Sequence, residues 1–189
     1  MSKRRTWLVL AIAWTVLQFD WRNRTLDAQE AASLPEYQLK AVFLYNFAKF
    51  VEWPSEAFSE PTSPFEIGVD GDNPFGPYLE EAVRGKSIES HPFVVRHVRL
   101  IGDARKCHIL FIANSERRRA ADLLNGIRGE PVLTVSDLDR FLELGGIIQF
   151  YMEGKKVRFQ INNDAAKHAG LKISSKLLQL GTREREQKK

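Results

Sequence analysis

Apolar residues along the chain fall into blocks with two different periods. From Tyr37 to Trp53, Leu39, Val42, Phe43, Phe47, Phe50 and Val51 recur at helical spacing and predict one long helix with a wide apolar stripe. Pro54 ends it, because proline bars the residue before it from helical geometry. A loop rich in Ser, Glu and Pro runs from Ser55 to Pro64. The next block, Phe65 to Val69, predicts a short strand that leads into Asp70-Gly71-Asp72-Asn73-Pro74-Phe75-Gly76. There Asn73 is expected to cap a helix with Pro74 at its first position, extending to about Val83.

Further strands are predicted at Phe93 to Val98, at Ile109 to Ala113, and at Pro131 to Val135. The run from Ile109 to Ala113 is apolar throughout, as a strand covered on both faces should be. Ser115 is expected to cap a helix that turns Ala120, Ala121, Leu123, Leu124 and Ile127 inward, with Arg117, Arg118 and Arg119 on its solvated face. A short helix is predicted over Leu138 to Leu142, then a turn at Gly145-Gly146, then a hairpin of Ile147 to Met152 with Val157 to Ile161. A last helix holds Ile173, Leu177, Leu178 and Leu180. Strands alternating with helices predict an α/β fold: a single-domain three-layer sandwich, with a mostly parallel sheet, an antiparallel edge hairpin and helices on both faces. The domain is expected to span residues 37–180, after a linker at 29–36 and before a charged, frayed tail at 181–189.

The first residues follow neither period. Lys3, Arg4 and Arg5 precede a nearly unbroken apolar run of 14 residues from Thr6 to Phe19. A membrane-spanning helix takes about 20 apolar residues. The shorter run fits the hydrophobic region of a secretory signal peptide over residues 1–28, with a cut after Ala28. Asp20, Arg22 and Arg24 lengthen and charge the stretch before the cut, so an uncleaved N-terminal anchor stays open as the alternative.

Charge narrows the partners. The chain of 189 residues carries 28 Lys and Arg against 24 Asp and Glu. Setting aside five basic and two acidic residues in 1–28 leaves 23 against 22, so the folded part has no basic excess for nucleic acid. Hydrophobic residues at 43% suffice for a real core. The lone Cys107 makes neither an internal disulfide nor a multi-cysteine zinc site.

Candidate chemistry is sparse. Cys107 and His108 are neighbours on one strand, so they point to opposite faces and cannot serve one substrate. Asp70-Gly71-Asp72-Asn73 resembles the start of a calcium loop but lacks the later bidentate glutamate, and reads as a turn with a helix cap. The four histidines, His91, His97, His108 and His168, show no ligand pairing. Ser174-Ser175-Lys176 lacks the Ser-x-x-Lys spacing and reads as a helix cap. No catalytic residue, cofactor or metal is assigned. Two surfaces are. The carboxyl ends of the parallel strands place Asp70, Asp72, Asn114 and Ser136 where open α/β sheets bind small ligands. Tyr45 and Trp53, on or beside the first helix, carry the aromatic character of protein interfaces, and the spacing leaves interface and core equally open for both.

The segment from Lys40 to Pro54, KAVFLYNFAKFVEWP, resembles the opening helix of the YfiR family. Asp72-Asn73-Pro74-Phe75-Gly76, Cys107 to Ile112, Val132 to Val135, Gly145 to Ile148, Arg158 to Asn162 and Leu171 to Leu178 are similar to later blocks of that family in the same order. The resemblance covers Tyr37 to Leu180. It implies a non-enzymatic periplasmic protein that binds the periplasmic domain of an inner-membrane diguanylate cyclase or related sensor and represses it. Cyclic-di-GMP, and with it biofilm and exopolysaccharide output, would be set across the membrane. It also implies homodimers and disulfides, and the lone Cys107 departs from the second. The alternative is a periplasmic small-ligand-binding or transport-accessory protein on the same sheet.

Overall fold

The computed structural model describes residues 35–183, and the expected signal segment and residues 184–189 of the expected tail lie outside them. Helix α1 (Glu36–Phe50) opens the domain and β1 (Val51–Glu52) continues from it. Then come β2 (Phe65–Asp70), α2 (Tyr78–Val83), β3 (Ser87–Ile88), β4 (His91–Val98), α3 (Ile101–Ala104) and β5 (Ile109–Ile112). Helix α4 (Ala120–Gly126), β6 (Leu133–Ser136), β7 (Ile148–Glu153) and β8 (Lys156–Ile161) follow. Helix α5 (Asn163–His168), β9 (Lys172–Ile173), α6 (Ser175–Leu180) and β10 (Thr182–Arg183) close the chain.

The main sheet has eight strands in the order β10-β8-β7-β6-β5-β2-β4-β3, and β1 pairs with β9 in a separate two-stranded ribbon. From β4 through β2, β5 and β6 to β7 every pairing is parallel. The hairpin β7–β8 and the pair β3–β4 are antiparallel. The expected mixed α/β class therefore holds. Side chains alternating along β5 divide the core: Ile109 and Phe111 join the cluster under α1, α2, α5 and α6, while Leu110 and Ile112 join the one under α3 and α4. Gly68 in β2 has a packing reason, since a Cβ there would sit 2.5 Å from the Cys107 sulfur and 2.7 Å from Val98.

Several expected elements differ. Helix α1 stops at Phe50, before Pro54 is felt, because Val51 and Glu52 pair with Ile173 and Lys172 across the chain. Its inward residues are Lys40, Ala41, Leu44, Phe47 and Ala48, so the expected stripe is rotated and Val42 is 38% exposed. Asn73 caps no helix; its Oδ1 accepts from the Phe75 N–H at 2.9 Å, and α2 starts only at Tyr78. Ser115 lies in a short 3₁₀ turn, Asn114–Glu116, instead of capping α4. Leu138 to Leu142 forms hydrogen-bonded turns in place of a helix, with Arg140 at φ +60°. Helix α5 was not expected, although Asn162 caps it by accepting from the Ala165 N–H at 3.0 Å. Ile173 belongs to β9, and Ser174 caps α6 as expected, accepting from Leu177 N–H at 3.3 Å. The hairpin is one strand in from the edge, because Thr182 and Arg183 add β10 beside Gln160 and Ile161 in what was expected to be frayed tail.

Candidate functional site

Strand order reverses between β2 and β5, because the chain steps from β2 outward to β4 and then crosses back to β5. Asp70 ends β2 at that point and is only 2% exposed. Arg119 Nη2 donates to its two carboxylate oxygens at 3.4 and 3.5 Å, while Arg119 Nε pairs with Glu116 at 2.7 Å. Burial pushes the Asp70 carboxyl above its ordinary pKa, and the Arg119 charge opposes that rise. Gly71 turns the chain at φ +89°, where a Cβ would strike the Ser115 hydroxyl. The Asp72 N–H then donates to Ser115 Oγ at 2.9 Å, tying the two loops together. The crevice between β2 and β5 is thus bridged. A cavity of about 200 Å³ opens instead toward β4, lined by Asp70, Arg99, Leu100, Ile101, Arg119, Asp122 and Leu123.

The expected crevice residues therefore separate. Asp70 and Asp72 lie beside Ser115 and Arg119, and Asn114 is exposed on the neighbouring turn. Ser136 is fully buried; its hydroxyl donates to the Ile112 carbonyl at 2.7 Å and accepts from the Leu138 N–H at 3.1 Å. One residue further, Asp137 belongs to a network that sequence reasoning missed. Its carboxylate accepts from Lys40 Nζ at 2.7 Å and from the Tyr37 hydroxyl at 2.8 Å, and Glu36 completes the ring of charge around Lys40. Burial, then the Asp137 hydrogen bond, push the Tyr37 hydroxyl pKa up. Glu36 and Lys40 stand four apart on α1, which was the one signal in the sequence.

The opposite end of the sheet is aromatic. Trp53 is half-buried, donates from Nε1 to the His108 carbonyl at 3.2 Å and meets Phe65 edge-on at 4.9 Å. The His108 ring stacks on Phe58 at 4.5 Å and on Phe65 at 4.6 Å, and Phe58 stacks in turn on His91 at 4.0 Å. His108 Nδ1 accepts from the Glu66 N–H at 3.0 Å, whereas its buried Nε2, which the Ala57 backbone approaches, has no hydrogen-bond partner at bonding geometry among the described residues. Burial pushes the His108 pKa down to about 4. Cys107 faces the other layer, donating to the Asp103 carbonyl at 3.4 Å, and burial pushes its pKa up to about 12. Among the described residues no group of three His, Cys, Asp or Glu side chains is placed to hold a metal ion.

Tyr45 differs from Trp53. Its ring is half-buried, packs in part against the core and meets Phe93 edge-on at 5.5 Å, while Val42, three residues before it on α1, is exposed. The ammonium groups of Lys49 and Lys86 each lie 4.1 Å from its centroid.

A family described as YfiR/HmsC-like matches residues 37–182. Among solved structures, the chain is similar to a conserved domain protein from Vibrio cholerae O1 biovar El Tor strain N16961, with a TM-score of 0.55 and 13% identity. The likeness covers 80% of this chain and 60% of that protein, so it spans less than two thirds of that protein's length and shows the fold alone. No curated protein matches.

Proposed function

Since the chain belongs to the YfiR/HmsC-like family, we propose that it is an exported, non-catalytic regulator that binds the periplasmic domain of an inner-membrane diguanylate cyclase and holds the enzyme inactive. The family match over residues 37–182 carries this reading. Two further features support it. The apolar run behind Lys3, Arg4 and Arg5 has the form of an export signal. The outer face of α1 presents Val42 and Tyr45, and a helix apolar on more than one side calls for cover on more than one side. Tyr45 is the contact we assign to the partner. We assign Trp53 to holding the end of α1 against the sheet beneath that contact, on its bond to the His108 carbonyl.

Deleting the gene in a strain that makes the cognate cyclase tests this reading. Loss of an inhibitor raises cellular cyclic-di-GMP and biofilm. Unchanged or lower cyclic-di-GMP defeats it. A reading as a small-ligand receptor is favoured by one observation, the cavity at the carboxyl end of β2 with the buried Asp70 in its lining. In that reading, of a periplasmic small-ligand-binding or transport-accessory protein, deletion leaves cyclic-di-GMP unchanged, and a small polar molecule raises the melting temperature of the wild type but not of Asp70→Asn.

A further inference from the structure

We propose that the surface formed by Tyr45, Lys49 and Lys86 receives an acidic segment of the partner, with carboxylates meeting both lysines and an apolar side chain covering Val42. This rests on the reading of the chain as a protein-binding regulator. The two lysines reach the same ring from separate elements. Lys49 is one turn beyond Tyr45 on α1, and Lys86 sits between α2 and β3, placed by the turn at Gly85 with φ +68°. Both ammonium groups lie 4.1 Å from one ring centroid, so they are within about 8 Å of each other. Two like charges that close concentrate positive potential on one small patch. Among the described residues neither lysine forms an ion pair: Lys86 Nζ donates to the Ala82 carbonyl at 2.7 Å, and Lys49 has only the ring.

The carboxylates of the same and adjoining elements do not pair with these lysines among the described residues. Glu52 approaches Lys172 at 3.9 Å, and Glu36 pairs with Lys40. Glu80, Glu81 and Glu89 on the adjoining elements form no ion pair with either lysine. The patch therefore combines a half-buried aromatic ring, an exposed valine and two cations without an ion pair among the described residues. That is the complement of an acidic strand or helix with an apolar anchor, the kind of surface in which charge sets register and an aromatic supplies the affinity.

The test has two arms. In the first, the purified protein is titrated with poly-L-glutamate and, separately, with phosphatidylglycerol vesicles. Binding to poly-L-glutamate is expected, weakening about tenfold between roughly 50 and 300 mM salt. The Lys49→Glu, Lys86→Glu double variant loses at least tenfold, while Lys49→Arg, Lys86→Arg and Tyr45→Phe bind as wild type, because they keep the charge and the ring. Undiminished poly-L-glutamate binding by the charge-reversed variant overturns the proposal. So does binding to vesicles alone, which makes the occupant a membrane. If the reversed variant fails to fold, Lys49→Gln, Lys86→Gln takes its place. In the second arm, the deletion strain is complemented with wild type or with the double variant at equal levels. Failure of the variant to lower cyclic-di-GMP supports the surface. Full repression by the variant overturns the surface and leaves the regulator standing. A deletion with no effect on cyclic-di-GMP removes the regulator, and the titration alone then decides the surface.

Discussion

Tyr45 and Trp53 stand eight residues apart, both carry an aromatic ring with one polar atom, and use that atom differently. Trp53 spends its N–H on the His108 carbonyl and packs its edge on Phe65, inside a stack that continues through His108 and Phe58 to His91. Tyr45 packs in part on the core and against the Phe93 edge, holds two ammonium groups over its ring, and uses its hydroxyl in no hydrogen bond among the described residues. Aromatic character alone does not separate the anchor role proposed for Trp53 from the contact role proposed for Tyr45. What separates them is whether the polar atom is consumed within the domain.

The largest effect expected from this contrast is on Trp53. Trp53→Ala removes a ring and a hydrogen bond from the joint between α1 and the sheet, and should cost about 3 kcal/mol, lowering the melting temperature by roughly 10 °C. Thermal unfolding measures it. A melting temperature close to wild type, with partner binding lost, would return Trp53 to the interface.

Breaking the other anchor of α1 should cost about as much. Lys40 is 2% exposed and held by Asp137 and Glu36, so Lys40→Ala leaves the Asp137 carboxylate beside a gap and should cost about 3 kcal/mol. Chemical denaturation reads this directly, and a loss below about 1 kcal/mol would show that water replaces the ammonium group there.

Acid probes the stack under Trp53. The folded pKa of His108 is about 4, below the ordinary 6.5, so the unfolded chain binds the proton more readily. Stability from this group is complete above pH 6.5, falls as the pH drops below that, and stops falling below about 4. Between pH 7 and pH 5 the loss should be about 2 kcal/mol. His108→Asn should flatten that part of the stability profile, and an unchanged slope in the variant would assign the acid sensitivity to other groups.

Much of this fold was legible in the sequence. Strands β2, β4 and β5 and the β7–β8 hairpin are apolar or alternating runs bounded by turn residues, and they lie within a residue or two of their expected places. The failures share a cause, which is pairing with distant chain. Val51 and Glu52 look helical until Lys172 and Ile173 take them as a strand, and Thr182 and Arg183 look frayed until Gln160 and Ile161 pair with them. Lys40 reads as a surface residue until Asp137, nearly a hundred residues away, draws it inside. The candidate site was half legible: Asp70 and Asp72 were placed by the rule for parallel sheets, but nothing local announced that Ser115 and Arg119 would bridge the crevice or that Ser136 would turn inward.

Smaller effects sharpen the contrast further. Tyr45→Ala should cost the fold less than Trp53→Ala, about 1 to 2 kcal/mol, because it removes the Phe93 edge contact, two cation–π contacts and part of the packing on the core but no hydrogen bond, and it should weaken the partner complex by about 2 kcal/mol. Cys107→Ser should change stability by about 1 kcal/mol and leave repression intact, since the buried thiol fills space beside Gly68 and its one hydrogen bond to the Asp103 carbonyl suits a hydroxyl. An intermolecular disulfide on a non-reducing gel would contradict that role for the thiol.

The most direct measurement is the affinity of the purified protein for the periplasmic domain of the membrane cyclase whose output rises when the gene is deleted. Wild type and Cys107→Ser should bind alike, and Tyr45→Ala should bind about thirtyfold more weakly while remaining folded. No detectable binding by the wild-type protein, with both partners folded, would contradict the account at its centre.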